Sequence, residues 1–183
     1  QLVYLHGFAT TPEIWGGLWK PANELRGSQD INIGEETETF SLRFPNIDLE
    51  NIAAESRRIA GMIEEGAVLI GWSMGGMLAL RIAAEFPAKI KGLVLISSTP
   101  KFLQDEGYSQ GLKPSVLKIL QKKISSEGIS AFHSLMFGSQ RPVGLAAIDK
   151  ERAQRELAEL ARVDLRPYLG KIKAPTLIIH GDT

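Results

Sequence analysis

The stretch from Ala67 to Ala84 leaves a chain few ways to fold. Ala67-Val68-Leu69-Ile70 is an apolar run of strand length. Gly71-Trp72-Ser73-Met74-Gly75 then places glycine two positions before and two after a serine, and Gly76 to Ala84 reads as a helix. A strand that turns straight into a helix brings two backbones together, and glycine at both flanks supplies the room. The serine is left at the tip of the turn with helix N-terminal amides beneath it, where a hydroxyl can act as a nucleophile. A glycine-rich core turn with an idle serine is the plainer alternative, and the strand before and helix after it weigh against that.

The same alternation runs through the rest of the chain. Leu2-Val3-Tyr4-Leu5 reads as a buried strand ended by His6-Gly7-Phe8-Ala9, and Thr10 or Thr11 as the cap of a helix through Ile14, Trp15 and Leu18. Residues 26–38 read as loop. Phe40, Leu42 and Phe44 alternate with polar residues, a strand closed by Pro45. From Asp48 the apolar residues Leu49, Ile52, Ala53, Ile59, Ala60 and Ile63 fall on helical spacing. Leu93 to Ile96 and Thr176 to Ile179 are further strands, and His180 follows what reads as a buried one. Short apolar strands between amphipathic helices predict an α/β fold: a mostly parallel sheet with helices on both faces. Residues 100–162 break the rhythm, with helix-like runs at 114–123, 126–137 and 148–161. They read as a helical lid inserted between a core of residues 1–99 and a return to the core over 163–183. Such a lid would sit over the C-terminal ends of the strands, where open sheets bind ligands.

Composition narrows the chemistry. Twenty-one basic residues balance 21 acidic ones, so no global charge points to nucleic acid or to a membrane surface. The absence of cysteine excludes thiolate catalysis, disulfides and cysteine-ligated metals, and is compatible with the cytoplasmic location expected here. No run has transmembrane length.

Strand–His6-Gly7, the turn at Ser73, and a lid before strand–His180-Gly181-Asp182 together resemble the α/β-hydrolase fold. The Gly71-Trp72-Ser73-x-Gly75-Gly76 turn and Ser97-Ser98-Thr99-Pro100-Lys101-Phe102 are most similar to the pimeloyl-[acyl-carrier protein] methyl ester esterases of biotin synthesis. Lys113-Pro114, Val163-Asp164-Leu165-Arg166 and Pro175-Thr176-Leu177 extend the likeness. The resemblance implies a serine carboxylesterase that cleaves a methyl ester through an acyl-enzyme, with no metal or organic cofactor. Ser73 would attack, and the backbone amides of Phe8 and Met74 would form the oxyanion hole. Phe8, Trp72, Met74, Phe132, Leu135 and Met136 would line the acyl pocket. Other hydrolases of small esters, thioesters or carbon–carbon bonds share the fold, as do hydrolase-fold proteins that bind without cleaving.

Such a serine needs a histidine base and a carboxylate behind it. The three histidines, His6, His133 and His180, do not stand where the family places its base. His6 reads as an organiser of its turn and His133 as a pocket-lining or surface residue. Asp182 falls one residue before the family's Gly-x-x-Asp acid, and Phe44-Pro45-Asn46-Ile47 replaces its Asp-x-Pro-Gly-x-Gly turn. The chain is therefore expected to be a fragment, lacking the N-terminal strands and the C-terminal part that holds acid and histidine. Lys113, Lys118, Lys122, Lys123, Arg152 and Arg155 make the lid basic. In the resemblance that suits an acidic acyl-carrier protein, although a solvated helix face would read the same way.

Overall fold

The computed structural model describes residues 1–18, 41–43, 47 and 49–181. The loop expected over 26–38, Phe40, Phe44-Pro45-Asn46, Asp48 and Asp182 lie outside them. Among the described residues, five strands form one parallel sheet: β1 (Leu2–Leu5), β2 (Ser41–Arg43), β3 (Ala67–Trp72), β4 (Ile90–Ile96) and β5 (Thr176–Ile179). Their order is β2-β1-β3-β4-β5. The chain therefore moves one way from β1 to β2 and the other way from β3 onward. In an open parallel sheet this reversal leaves a crevice beyond the C-terminal ends of the two central strands. Here those ends are Leu5 and Trp72, and Leu5 is in register with Gly71.

Helix α1 (Ile52–Met62) begins at Asn51 rather than Asp48, because the Asn51 side chain accepts the Ala54 amide at 2.9 Å. Helix α2 (Met74–Glu85) packs on β1, β3 and β4, and α1 packs on α2. Val3, Leu5, Leu69 and Leu93 are fully buried in the resulting core. Alternate residues Val68, Ile70 and Val94 point to the other face and are half-buried. Among the described residues, strand β5 pairs with β4, and Leu177, Ile178 and Ile179 are 57%, 65% and 47% exposed.

Two predicted helices differ in detail. Pro12–Leu18 is 3₁₀ rather than α, kinked at Gly16 (φ 34°), and it still seats Trp15 in the core with its ring edge-on to Tyr4. The run expected over 126–137 is split: α3 (Pro114–Glu127) ends at Gly128, whose φ of 81° only glycine adopts freely, and α4 (Ser130–Phe137) follows. Helix α5 (Lys150–Arg162) is capped by Asp149 and completes the segment.

Contacts along this helical segment and at both its ends tie it to the sheet. The buried carboxylate of Glu159 on α5 accepts the Ile52 amide at the start of α1, 2.9 Å away. Where the segment leaves and rejoins the core, Lys101 lies 3.3 Å from Asp164 and the Leu165 amide donates to the Pro100 carbonyl. Arg166 and Lys101 hold the Asp164 carboxyl well below the ordinary carboxylate range. Among the described residues, no helix is long and apolar enough to cross a membrane.

Candidate active site

Ser73 sits between β3 and α2 with φ 52° and ψ −119°, a conformation that costs a non-glycine residue about 1–3 kcal/mol. Its neighbours hold it there. Its amide donates to the Ile96 carbonyl at 3.0 Å. Its carbonyl accepts the amides of Gly76 and Met77 and the hydroxyl of Ser98, the last at 2.8 Å. Glycine is required at both flanks: a Cβ on Gly71 would stand 2.6 Å from the Gly75 oxygen, and one on Gly75 would meet the Leu5 and His6 carbonyls. The backbone thus fixes the turn, and among the described residues the Ser73 hydroxyl makes no hydrogen bond. As the first residue of α2, Met74 has an amide without an intrahelical acceptor, at the positive end of the helix.

The turn after β1 packs directly against this elbow. A Cβ on Gly7 would lie 2.9 Å from the Trp72 ring and 3.4 Å from the Ser73 Cβ, so only glycine allows the approach. The Gly7 carbonyl accepts the Thr10 hydroxyl at 2.9 Å and the His6 Nδ1–H at 3.0 Å. No peptide bond here is cis. In a trans peptide the N–H points opposite the C=O, so fixing the Gly7 carbonyl turns the Phe8 amide the other way. A carbonyl only accepts, so His6 carries its proton on Nδ1, and its buried Nε2 has no partner among the described residues.

Burial lowers the His6 pKa from its ordinary 6.5. Its neutral form is therefore favoured on folding: its contribution to stability is present above pH 6.5 and is lost as pH falls toward the lowered native value. Urea titrations should accordingly show stability falling below pH 6.5. In a His6→Asn variant, whose amide can still donate to Gly7, that part of the slope should disappear.

The aromatic residues expected at the pocket come together in part. Phe8 is buried and meets Phe132 edge-on at 4.9 Å between centroids. Trp72 stands 6.3 Å from Phe137, a contact the sequence did not single out. Met74 is buried, whereas Leu135 and Met136 on α4 are 62% and 50% exposed. His133 is not on the surface. It is buried, and its Nε2–H donates to the Ala9 carbonyl at 2.8 Å. His180 is exposed, with Nδ1 3.2 Å from the Gly181 carbonyl, contrary to the buried strand end expected. No histidine thus hydrogen-bonds Ser73 among the described residues.

The basic surface also needs correction. Arg152 pairs with the buried Glu156 at 2.8 Å and donates to the Ile47 carbonyl, and Arg155 pairs with Glu50 at 2.8 Å. The i, i+4 spacing on α5 turns Arg152 onto Glu156, and each of these arginines thus has a carboxylate partner. Lys113, Lys118, Lys122 and Lys123 are exposed and form no ion pair among the described residues. No cluster of three or more metal-ligating side chains occurs among those residues either.

Comparison with known proteins gives the family and the fold. The profile of the alpha/beta hydrolase family matches residues 2–182. The pimeloyl-[acyl-carrier protein] methyl ester esterase of Wigglesworthia glossinidia brevipalpis is 30% identical over 200 residues, covering 100% of this chain and 74% of that protein. Its namesake from Nitrosospira multiformis is 25% identical over 199 residues, covering 100% and 76%. Among solved structures, an esterase from Exiguobacterium antarcticum superposes with a TM-score of 0.74 at 21% identity, over 98% of this chain and 72% of that one. The enol-lactonase from Burkholderia xenovorans LB400 gives 0.70 at 16%, over 99% and 72%. At these identities the superpositions speak for the fold.

Proposed function

The chain belongs to the alpha/beta hydrolase family, and from that premise we propose that it is an ester hydrolase in which Ser73 is the nucleophile. The observation that carries this reading is the strained Ser73 backbone, held at the switch point of the sheet against the Gly7 turn. Ser73 attacks the ester carbonyl, the amides of Phe8 and Met74 receive the oxyanion, and the alcohol leaves to give an acyl-enzyme that water then hydrolyses. The mechanism needs a histidine base with a carboxylate behind it, and among the described residues none of His6, His133 and His180 hydrogen-bonds the serine hydroxyl. Residues 100–162 act as a lid. Phe8, Trp72, Met74 and Phe132 wall the acyl pocket, with Leu135 and Met136 at its rim.

The relatives' names supply the substrate class: a methyl ester on an acyl chain borne by a carrier protein. Lys113, Lys118, Lys122 and Lys123 on and before α3 give an acidic carrier a landing surface, without help from Arg152 and Arg155. The test compares hydrolysis of a carrier-linked methyl ester with that of a small aryl ester, using the full-length protein and a variant with all four lysines changed to glutamate. The expected result is a rise in KM of about tenfold or more for the carrier-linked ester, lessened by salt, with small-ester turnover unchanged. Equal loss on both substrates, or cleavage of small esters alone, would remove the carrier protein from this reading.

A further inference from the structure

We infer that His133 is a positioning residue that sets the Phe8 amide of the oxyanion hole from the helical segment. This rests on the reading of Ser73 and Phe8 given above. The turn that carries Phe8 is held at two carbonyls: that of Gly7, which shares a peptide plane with the Phe8 amide, and that of Ala9, beyond the Phe8–Ala9 peptide. The first, Gly7, is held within its own turn by Thr10 and His6. The second, Ala9, is held from outside. It accepts the His133 Nε2–H at 2.8 Å and the Ala146 amide at 3.0 Å. Ala9 has φ 55°, a left-handed conformation that an alanine does not keep unaided.

The grip on this loop is two-sided. The Thr11 amide donates to the Gly144 carbonyl at 2.7 Å, and Thr10 bridges to Leu145. Gly144 has φ 89°, and a Cβ there would collide with the backbone of Glu13 and Ile14. On the α4 side, Phe132 meets the Phe8 ring, and the next residue, His133, reaches the next carbonyl along. Because the imidazole donates to a carbonyl, the required feature is an N–H at the Nε2 position. Either a neutral or a charged ring supplies it, and no catalytic proton transfer is involved. An oxyanion donor displaced by even part of an ångström loses much of its effect in the transition state and little in ground-state binding.

The test compares His133→Gln, which keeps a donor of similar reach, with His133→Phe, which keeps the ring volume and removes the N–H. Each is measured in the full-length protein for kcat and KM on an aryl ester, for inhibition by a trifluoromethyl ketone, and for melting temperature. For His133→Phe, kcat should fall by about 10- to 100-fold, ketone affinity should fall in parallel, and KM should stay within about twofold. His133→Gln should recover most of the kcat. Equal kcat in the two variants, or losses that follow melting temperature alone, would overturn the inference while leaving Ser73 as nucleophile. A wild-type protein that neither turns over ester nor binds the ketone would overturn the underlying reading as well.

Discussion

Replacing Ser73 with alanine should abolish ester turnover, by about 10⁴- to 10⁶-fold in kcat, and leave the fold intact. The size of the effect follows from the role: without the hydroxyl no acyl-enzyme forms, and the Phe8 and Met74 amides can assist only a poorly placed water. The intact fold follows from the hydrogen bonds. Ser73 is held through its main chain, by the Ile96 carbonyl on one side and by Ser98, Gly76 and Met77 on the other. Its hydroxyl supports none of these contacts, and alanine tolerates φ 52° about as poorly as serine does. The melting temperature should therefore move by no more than a few degrees. Substrate binding, read by equilibrium titration with the ester, should persist in the variant. A hydrolase-fold protein that only binds would give the same titration but would show no turnover in the wild type.

The second large effect is expected at Gly75. A methyl group there would enter the space held by the Leu5 carbonyl and stand 2.7 Å from the His6 oxygen. Both obstacles are main chain, at the end of a strand in the centre of the sheet, and neither can swing aside as a flexible side chain would. Gly75→Ala should therefore cost about 3 kcal/mol or more in stability. In whatever fraction folds, α2 should be pushed away from the β1 turn, separating Ser73 from the Phe8 amide. Gly61→Ala serves as the control. That glycine lies exposed in α1, a Cβ added to it would meet nothing within 4 Å, and alanine there should stabilise by about 0.5–1 kcal/mol. Urea denaturation of the two variants separates a steric effect from a general intolerance of substitution.

The elbow was legible from sequence because its signal is local. A strand, two spaced glycines and a helix lie close together between Ala67 and Ala84, and the chemistry of that turn leaves no other residue types at its flanks. The parallel sheet was legible for the same reason, strand by strand. What escaped was set by contacts between distant parts of the chain. His133 and Ala9 are 124 positions apart, and no spacing rule joins them. Ser98 belongs to a segment that resembles the family's, but its hydrogen bond to the Ser73 carbonyl depends on the pairing of β3 with β4. From sequence the arginines of α5 read as part of a basic surface, whereas in the fold Glu156 and Glu50 stand beside them. The glutamate four residues after Arg152 was the available signal.

The most direct test of the central claim is the mass of the full-length protein after reaction with a fluorophosphonate, followed by peptide mapping. The account predicts a single covalent adduct, on the peptide carrying Ser73, which is absent after Ser73→Ala. An unlabelled protein that still cleaves esters, or an adduct on any other residue, would contradict it.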